Sequence, residues 1–162
     1  LIDTPGAYCG IGAEERGQGE AIARNLMEFM RLKTPVISIV TGEGGSGGAL
    51  GLGVCDKLAM LEHAVYSVIS PRGCANILWR DSSREQEAAN ILKITAPDLL
   101  KLSVADAMIP EPPGGAQNDL HMTAEHIVEY LFETLKQICK KDLAKLLETR
   151  YNKFRKIGEF IQ

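Results

Sequence analysis

A layered α/β core closed by a helical tail is the architecture this 162-residue sequence predicts. Three observations carry the prediction. Short β-branched runs, above all Val36-Ile-Ser-Ile-Val40, read as strands buried on both faces. Between them lie stretches with apolar residues at helical spacing, such as Ile22, Leu26, Phe29 and Met30. Beyond about residue 120 the strand signals cease and helical patterns follow alone, so alternation gives way to a helical extension.

Each element is justified in order along the chain. Leu1 to Asp3 reads as the end of a strand, so the chain enters in mid-fold and an N-terminal part is expected to precede it. Thr4 to Ala13 is a loop carrying Gly6, Gly10 and Gly12. Glu14 and Glu15 suit the first turn of a helix, where the dipole favours anions. That helix should end at Leu32, because Pro35 disfavours helical geometry at Thr34. The Val36 to Val40 strand then feeds Thr41-Gly-Glu-Gly-Gly-Ser-Gly-Gly-Ala-Leu50, read as a glycine loop with a helix starting near Gly48.

An apolar segment follows near Lys57 to Leu61, and Val65 to Ile69 reads as the next strand. Pro71 opens a helix through Trp79, Ser82 or Ser83 caps one running to Lys93, and Thr95 caps a short one to Leu102. Ala105 to Ile109 reads as a final strand, and Glu111-Pro-Pro-Gly-Gly115 as a turn-rich connector. Thr123 is expected to begin a helix with Ile127, Val128, Leu131, Leu135 and Ile138 on one face, followed by a second from Leu143 to about Ile157. The expected division is a core over residues 1–120 and a helical extension over 121–162.

Composition narrows the function classes. A hydrophobic fraction of 45%, a charged fraction of 24% and a net charge of -3 describe a globular chain without the footprint of a nucleic-acid binder. The basic residues of the tail, Lys140, Lys141, Lys145, Arg150, Lys153, Arg155 and Lys156, alternate with acidic and apolar positions and read as a solvated helix face. Cys9, Cys55, Cys74 and Cys139 form no Cys-x-x-Cys pair, and His63, His121 and His126 are scattered, so no metal site is expected. Reduced thiols fit a cytoplasmic setting. No apolar run approaches the ~18 residues that span a bilayer, so no membrane association is expected.

Two motifs carry chemistry. Asp3-Thr-Pro-Gly6 at a strand end is reminiscent of a GTPase switch, but the glycine-rich stretch has no lysine for a phosphate and no guanine-reading Asn-Lys-x-Asp follows. Asp3 therefore reads as a carboxylate that organises its loop. Gly42 to Gly48 holds five glycines in seven residues between a strand and a helix start. Amides stripped of Cβ atoms at a helix N-terminus suit an oxyanion hole, whose donors contribute about 3 kcal/mol each to a transition state. Glycines serving packing alone are the plainer reading. Gly44-Gly-Ser-Gly-Gly48 also satisfies Gly-x-Ser-x-Gly, which leaves a serine hydrolase using Ser46 as a competitor, although no histidine has a persuasive partner context.

Taken together, the motifs resemble one family. They are Asp3-Thr-Pro-Gly-Ala-Tyr8, Gly12-Ala-Glu-Glu-Arg-Gly17, Glu20 to Leu26, Gly42 to Leu50, Tyr66-Ser-Val-Ile-Ser-Pro71, Gly73-Cys-Ala75, Ile77-Leu-Trp79, Ile94-Thr-Ala96, Ile109-Pro-Glu-Pro112 and Gly114-Gly-Ala116. In register over nearly the whole chain, they resemble the carboxyltransferase α subunits of multi-subunit acetyl-CoA carboxylases. Small departures stand at Cys9, Arg72 and Pro113.

The resemblance implies a crotonase-like fold of repeated β-β-α units with a helical C-terminal extension. It implies carboxyl transfer from carboxybiotin, borne by a biotin carboxyl carrier protein, to acetyl-CoA, giving malonyl-CoA for fatty acid synthesis. The family's oxyanion hole falls on the backbone amides of Gly47 and Gly48, expected to face the biotin ring, with Gly44, Gly45 and Ser46 shaping the substrate's approach. Glu43 is expected to hold the loop rather than act as a base, and Arg16, Arg24 and Arg72 are candidates for interface or substrate contacts. A zinc-containing β subunit would supply the other half of the site in an α2β2 assembly. A related acyl-CoA carboxyltransferase or decarboxylase is the nearest alternative, and a non-catalytic scaffold the most distant. A polypeptide of these 162 residues alone is expected to be inactive.

Overall fold

The computed structural model describes residues 1–158. Five parallel strands form one sheet: β1 (Ile2–Thr4), β2 (Ile37–Gly45), β3 (Lys57–Leu61), β4 (Val65–Ser67) and β5 (Ala107–Ile109). The order is β1-β2-β3-β5. The long strand β2 pairs with β3 along Ile37 to Val40 and with β4 along Glu43 to Gly45. Ile2, Ile39, Val40, Ala59, Met60 and Leu61 are all but sealed from solvent, as strands covered on both faces require.

The helices are α1 (Ile11–Glu15), α2 (Gln18–Arg31), α3 (Ser46–Gly53), α4 (Pro71–Trp79), α5 (Glu85–Leu92), α6 (Ala96–Lys101), α7 (Leu120–Ile138) and α8 (Leu143–Arg155). Their ends follow local chemistry. Ser70 accepts the Gly73 N–H and Pro71 takes the first turn of α4. Asp142 accepts the Lys145 N–H to open α8. Thr95 stands at the N-cap of α6, but its hydroxyl donates to Asp98 instead of accepting a backbone N–H.

Several expectations are corrected. The glycine stretch is not a loop: Thr41 to Gly45 continues β2, because Thr4 of β1 pairs with Gly44 on one side and β4 pairs on the other. The helix expected from Glu14 to Leu32 is broken at Gly17, whose φ of 75° separates α1 from α2. Asp81, not Ser82 or Ser83, opens the 3-10 turn before α5, accepting the Ser83 N–H. Helix α7 begins at Leu120 with Asp119 accepting the Met122 N–H, three residues earlier than Thr123. Its packed stripe runs through Thr123, Ile127, Tyr130, Leu131, Thr134 and Ile138, leaving Val128 and Leu135 exposed. Tyr130 and Thr134 are polar enough to hide in a hydropathy pattern, yet lie on the face that meets the sheet.

The largest correction concerns the tail. Arg150, read as part of a solvated face, is 0% exposed. Its guanidinium clasps Asp56 through Nε (3.0 Å) and Nη2 (2.7 Å) and donates to the carbonyls of Phe29, Leu32 and Thr34. Those carbonyls belong to the C-terminal end of α2 and the turn beyond it, where a helix leaves acceptors unsatisfied. Lys153 is likewise engaged, its Nζ 2.6 Å from Asp106. Two tail cations thus dock α8 onto the core. Among the described residues no helix is long and apolar enough to cross a membrane.

Candidate active site

The first eight residues and the end of β2 build the site together. Asp3 Oδ1 accepts the Glu43 N–H at 2.9 Å, and Thr4 closes a turn on Gly6 with its hydroxyl. This brings Pro5, Gly6 and Ala7 against the turn where β2 becomes α3. A Cβ at Gly45 would overlap the Pro5 carbonyl, and one at Gly48 would lie 2.8 Å from Gly6 C and Ala7 N. A Cβ at Gly44 would sit 2.7 Å from the Tyr66 ring. Packing alone therefore demands glycine at 44, 45 and 48. At Gly47 a Cβ would meet only the mobile end of Ile22, at 3.2 Å.

Between Gly45 and Gly47 the chain turns through Ser46, whose φ of 39° lies in the left-handed region. Such a residue costs on the order of 1 kcal/mol or more, and positions of this kind concentrate at functional sites. Gly45 is the N-cap of α3 and brings no side chain to the first-turn amides. The N–H groups of Ser46, Gly47 and Gly48 are thus the positive end of an eight-residue helix without a side-chain cap.

Two cavities flank this turn. One of about 350 Å³ is lined by Ser46, Gly47, Leu50, Tyr66, Ser67, Val68, Leu92, Leu99 and Val104 and is largely apolar. The other, about 360 Å³, lies between Pro5–Ala7, Cys9, Glu43 to Ser46 and Ser67 to Pro71, with Val65 and Ile94 in its wall. Gly48 lines neither, so the structure brings Gly44, Gly45 and Ser46 to one cavity and Ser46 and Gly47 to the other. Burial, with a smaller push from Cys55, raises the Tyr66 phenol above its ordinary range, so it stays a neutral hydroxyl in the wall of the first cavity.

The histidines lie elsewhere. His63 Nδ1 is 3.0 Å from Glu111, His121 pairs with Glu125, and His126 Nδ1 is 2.9 Å from the Pro110 carbonyl. None lines either cavity, so Ser46 has no imidazole beside it. Among the described residues no group of three or more His, Cys, Asp or Glu side chains is placed to hold a metal ion. Arg16 and Arg24 are exposed, and Arg72 lines a polar cleft with Ser70, Gly73, Asn76 and Ser82. Sequence reasoning missed the apolar wall of the first cavity. Leu92 belongs to α5, while Leu99 and Val104 meet at the end of α6, and no local pattern brings them to Gly47.

Residues 1–158 match the family described as acetyl co-enzyme A carboxylase carboxyltransferase-like. The chain belongs to that family. It is 59% identical over 157 residues to the acetyl-coenzyme A carboxylase carboxyl transferase subunit alpha of Clostridium perfringens, covering 97% of this chain and 58% of that one. Identity to the subunit of the same name in Protochlamydia amoebophila is 56% over 162 residues, covering 100% and 51%. The family member described here thus spans about half the length of these curated relatives.

Its fold is also that of solved carboxyltransferase-like and crotonase-like proteins. A Pseudomonas malonate decarboxylase hetero-tetramer in complex with coenzyme A superposes with a TM-score of 0.69 at 19% identity, over 92% of this chain and 59% of that one. An enoyl-CoA hydratase/isomerase of Marinobacter aquaeolei gives 0.51 at 17%, over 96% and 58%. At such identities the likeness concerns architecture alone.

Proposed function

We propose that this chain is part of an acetyl-CoA carboxylase carboxyltransferase α subunit, moving a carboxyl group from carboxybiotin to acetyl-CoA to form malonyl-CoA. The observation that carries the reading is the N-terminus of α3 without a side-chain cap, whose Gly47 lines a largely apolar cavity of about 350 Å³. Membership of the family, at 55% identity or more to relatives named as this subunit, agrees with it.

The donor set fits the group. Carboxybiotin, when bound, supplies the carboxyl group and takes up the proton that the acetyl methyl loses. A fused apolar ring with one urea oxygen matches walls of Leu50, Leu92, Leu99 and Val104 beside amide donors. Neutral N–H groups stabilise negative charge on an oxygen without protonating it, and they are in place before the charge develops. The apolar walls exclude water, which strengthens those hydrogen bonds and protects the carboxyl group from hydrolysis. No histidine or carboxylate pair of this chain is needed as a base. The reading takes the partners from the same family: a zinc-containing β subunit completing the site, a biotin carboxyl carrier protein, and an α2β2 assembly. A cytoplasmic setting goes with it.

The test separates the amide from the space around it. In the complete α chain assembled with β subunit and carrier, Gly47→Ala keeps the N–H and presses only on Ile22. Gly47→Pro deletes the N–H in a first helical turn, and because a residue before proline is pushed toward extended backbone, thermal melts check that this variant folds. Malonyl-CoA formation is expected to fall about 10²- to 10³-fold for proline and far less for alanine. Equal rates for the two variants would sink the oxyanion assignment. The left-handed Ser46 within Gly-x-Ser-x-Gly is the one feature that favours a hydrolase. Ser46→Ala with carboxyl transfer retained excludes it as a nucleophile.

A further inference from the structure

Two cavities that share three lining residues raise the question of what those residues control. Val68 lines both, together with Ser46 and Ser67. It is 78% exposed, so its side chain stands clear of the core. It is also held in place. Ser67 pairs with Gly45 in the sheet, and its hydroxyl donates to the Ile69 carbonyl at 2.7 Å and accepts the Ile69 N–H at 3.4 Å. That closes a tight turn with Val68 at its apex. On the other side of β4, Tyr66 N–H donates to the Ile94 carbonyl and Val65 bridges Thr95. A β-branched side chain on a turn braced from both sides has few ways to move aside.

Resting on the carboxyl-transfer reading, we propose that Val68 determines the size of the acyl group accepted. A group-transfer site must bring two reactants into contact, and the two cavities meet only along Ser46, Ser67 and Val68. Ser46 and Ser67 present backbone and small hydroxyls there, so Val68 supplies the bulk. An acetyl thioester ends in a methyl group at the reacting carbon. A longer acyl group carries a further methyl on that carbon, directed at the Val68 isopropyl. The residue therefore excludes branching at the reacting carbon while the Gly47 amide is indifferent to it.

The experiment uses the complete α chain with its β subunit and carrier and compares acetyl-CoA with propionyl-CoA. Val68→Ala is expected to raise the propionyl-to-acetyl ratio of kcat/KM by about 10-fold, the usual worth of one methylene of room. Val68→Leu is expected to lower it. The Kd ratio of the two thioesters, measured by calorimetry on the same complexes, should move in the same direction. Ratios within about twofold of wild type for both variants, with malonyl-CoA still formed, overturn the role of Val68. If the wild-type complex carboxylates neither thioester, the carboxyl-transfer reading itself is overturned, and with it this inference. Because Val68 is exposed, both variants are expected to fold, which thermal melts check.

Discussion

Gly47 and Gly48 are neighbours in sequence and answer to different physics. The site above Gly48 is occupied by the backbone of Gly6 and Ala7, which cannot step back without breaking the Thr4 turn. Gly48→Ala is therefore expected to destabilise the fold by about 1–3 kcal/mol, the usual cost of overpacking. Gly47→Ala, which meets only the end of Ile22 at 3.2 Å, should cost clearly less. Denaturant melts of the two variants check the order. A reversal would mean that Ile22, not the Pro5–Ala7 backbone, is the unyielding neighbour.

His63 and Glu111 make a second argument at the same scale. Glu111 accepts the His63 N–H at 3.0 Å, the Ala116 N–H at 2.8 Å and, on the same carboxylate, the His63 ring at 3.0 Å. The hydrogen bond and charge of Glu111 raise the His63 pKa above its ordinary value. Burial pushes Glu111 upward, but the two backbone N–H groups and the imidazole outweigh it and hold its pKa low. A raised histidine pKa contributes stability below about pH 6.5 that is lost as pH rises through the folded value. For Glu111 the sign is opposite: its contribution is present above the ordinary carboxylate range and lost as pH falls through the lowered value. An NMR titration of His63 should show the upward shift, and Glu111→Gln should bring it back toward about 6.5.

At the scale of elements, Arg150 decides how the tail meets the core. It joins α8 to the C-terminal carbonyls of α2 and, through Asp56, to the entry of β3. Asp56 also accepts the Val36 N–H at the entry of β2, so one guanidinium ties four segments. Removing it leaves the buried Asp56 carboxylate without its countercharge and takes a donor from three carbonyls. Arg150→Met is expected to cost about 3–5 kcal/mol, as breaking a buried pair does. Restoring neutrality with Asp56→Asn in the same chain should recover part of that loss. A double-mutant cycle by denaturant unfolding measures the coupling, and additive effects would mean that the pair is not coupled. Helix α7 offers a milder lesson. Its periodicity was legible, but Asp119 as the cap and Tyr130 and Thr134 on the packed stripe were not. A polar side chain can face a sheet when its apolar body does the packing, and hydropathy does not record that.

At the scale of the whole molecule, the proposed reaction is expected to need a β subunit besides this chain. The apolar cavity and the Gly47 amide are here, while the β subunit is expected to bring the rest. These 162 residues alone are expected to yield no malonyl-CoA from carboxybiotin and acetyl-CoA, and the complete α chain with its β subunit is expected to yield it. Product formation by the 162 residues in isolation would mean that one chain holds both halves of the site. The exposed apolar side chains Tyr8, Ile11, Val68, Ile77 and Phe132 lie on the same molecule that carries a buried arginine and a strand of glycines. The interior is otherwise largely apolar, and Arg150 departs from hydropathy because its long-range partners satisfy it there.

The sequence by itself determined the alternation of strands and helices, the proline-opened helix at Pro71, the family, and the Gly42 to Gly48 stretch as the centre of interest. These are properties of residues a few positions apart, and short-range sterics and capping write them directly into the chain. Only the tertiary structure decided that Gly44 and Gly45 lie in a strand, that Gly48 is fixed by packing, that Arg150 is sealed inside, and that Val68 stands between two cavities. Each depends on a partner far along the chain: Pro5 for Gly45, Asp56 for Arg150, Leu92 to Val104 for the cavity wall. A local pattern holds no record of such distances, because the free energy that fixes them is that of the packed whole.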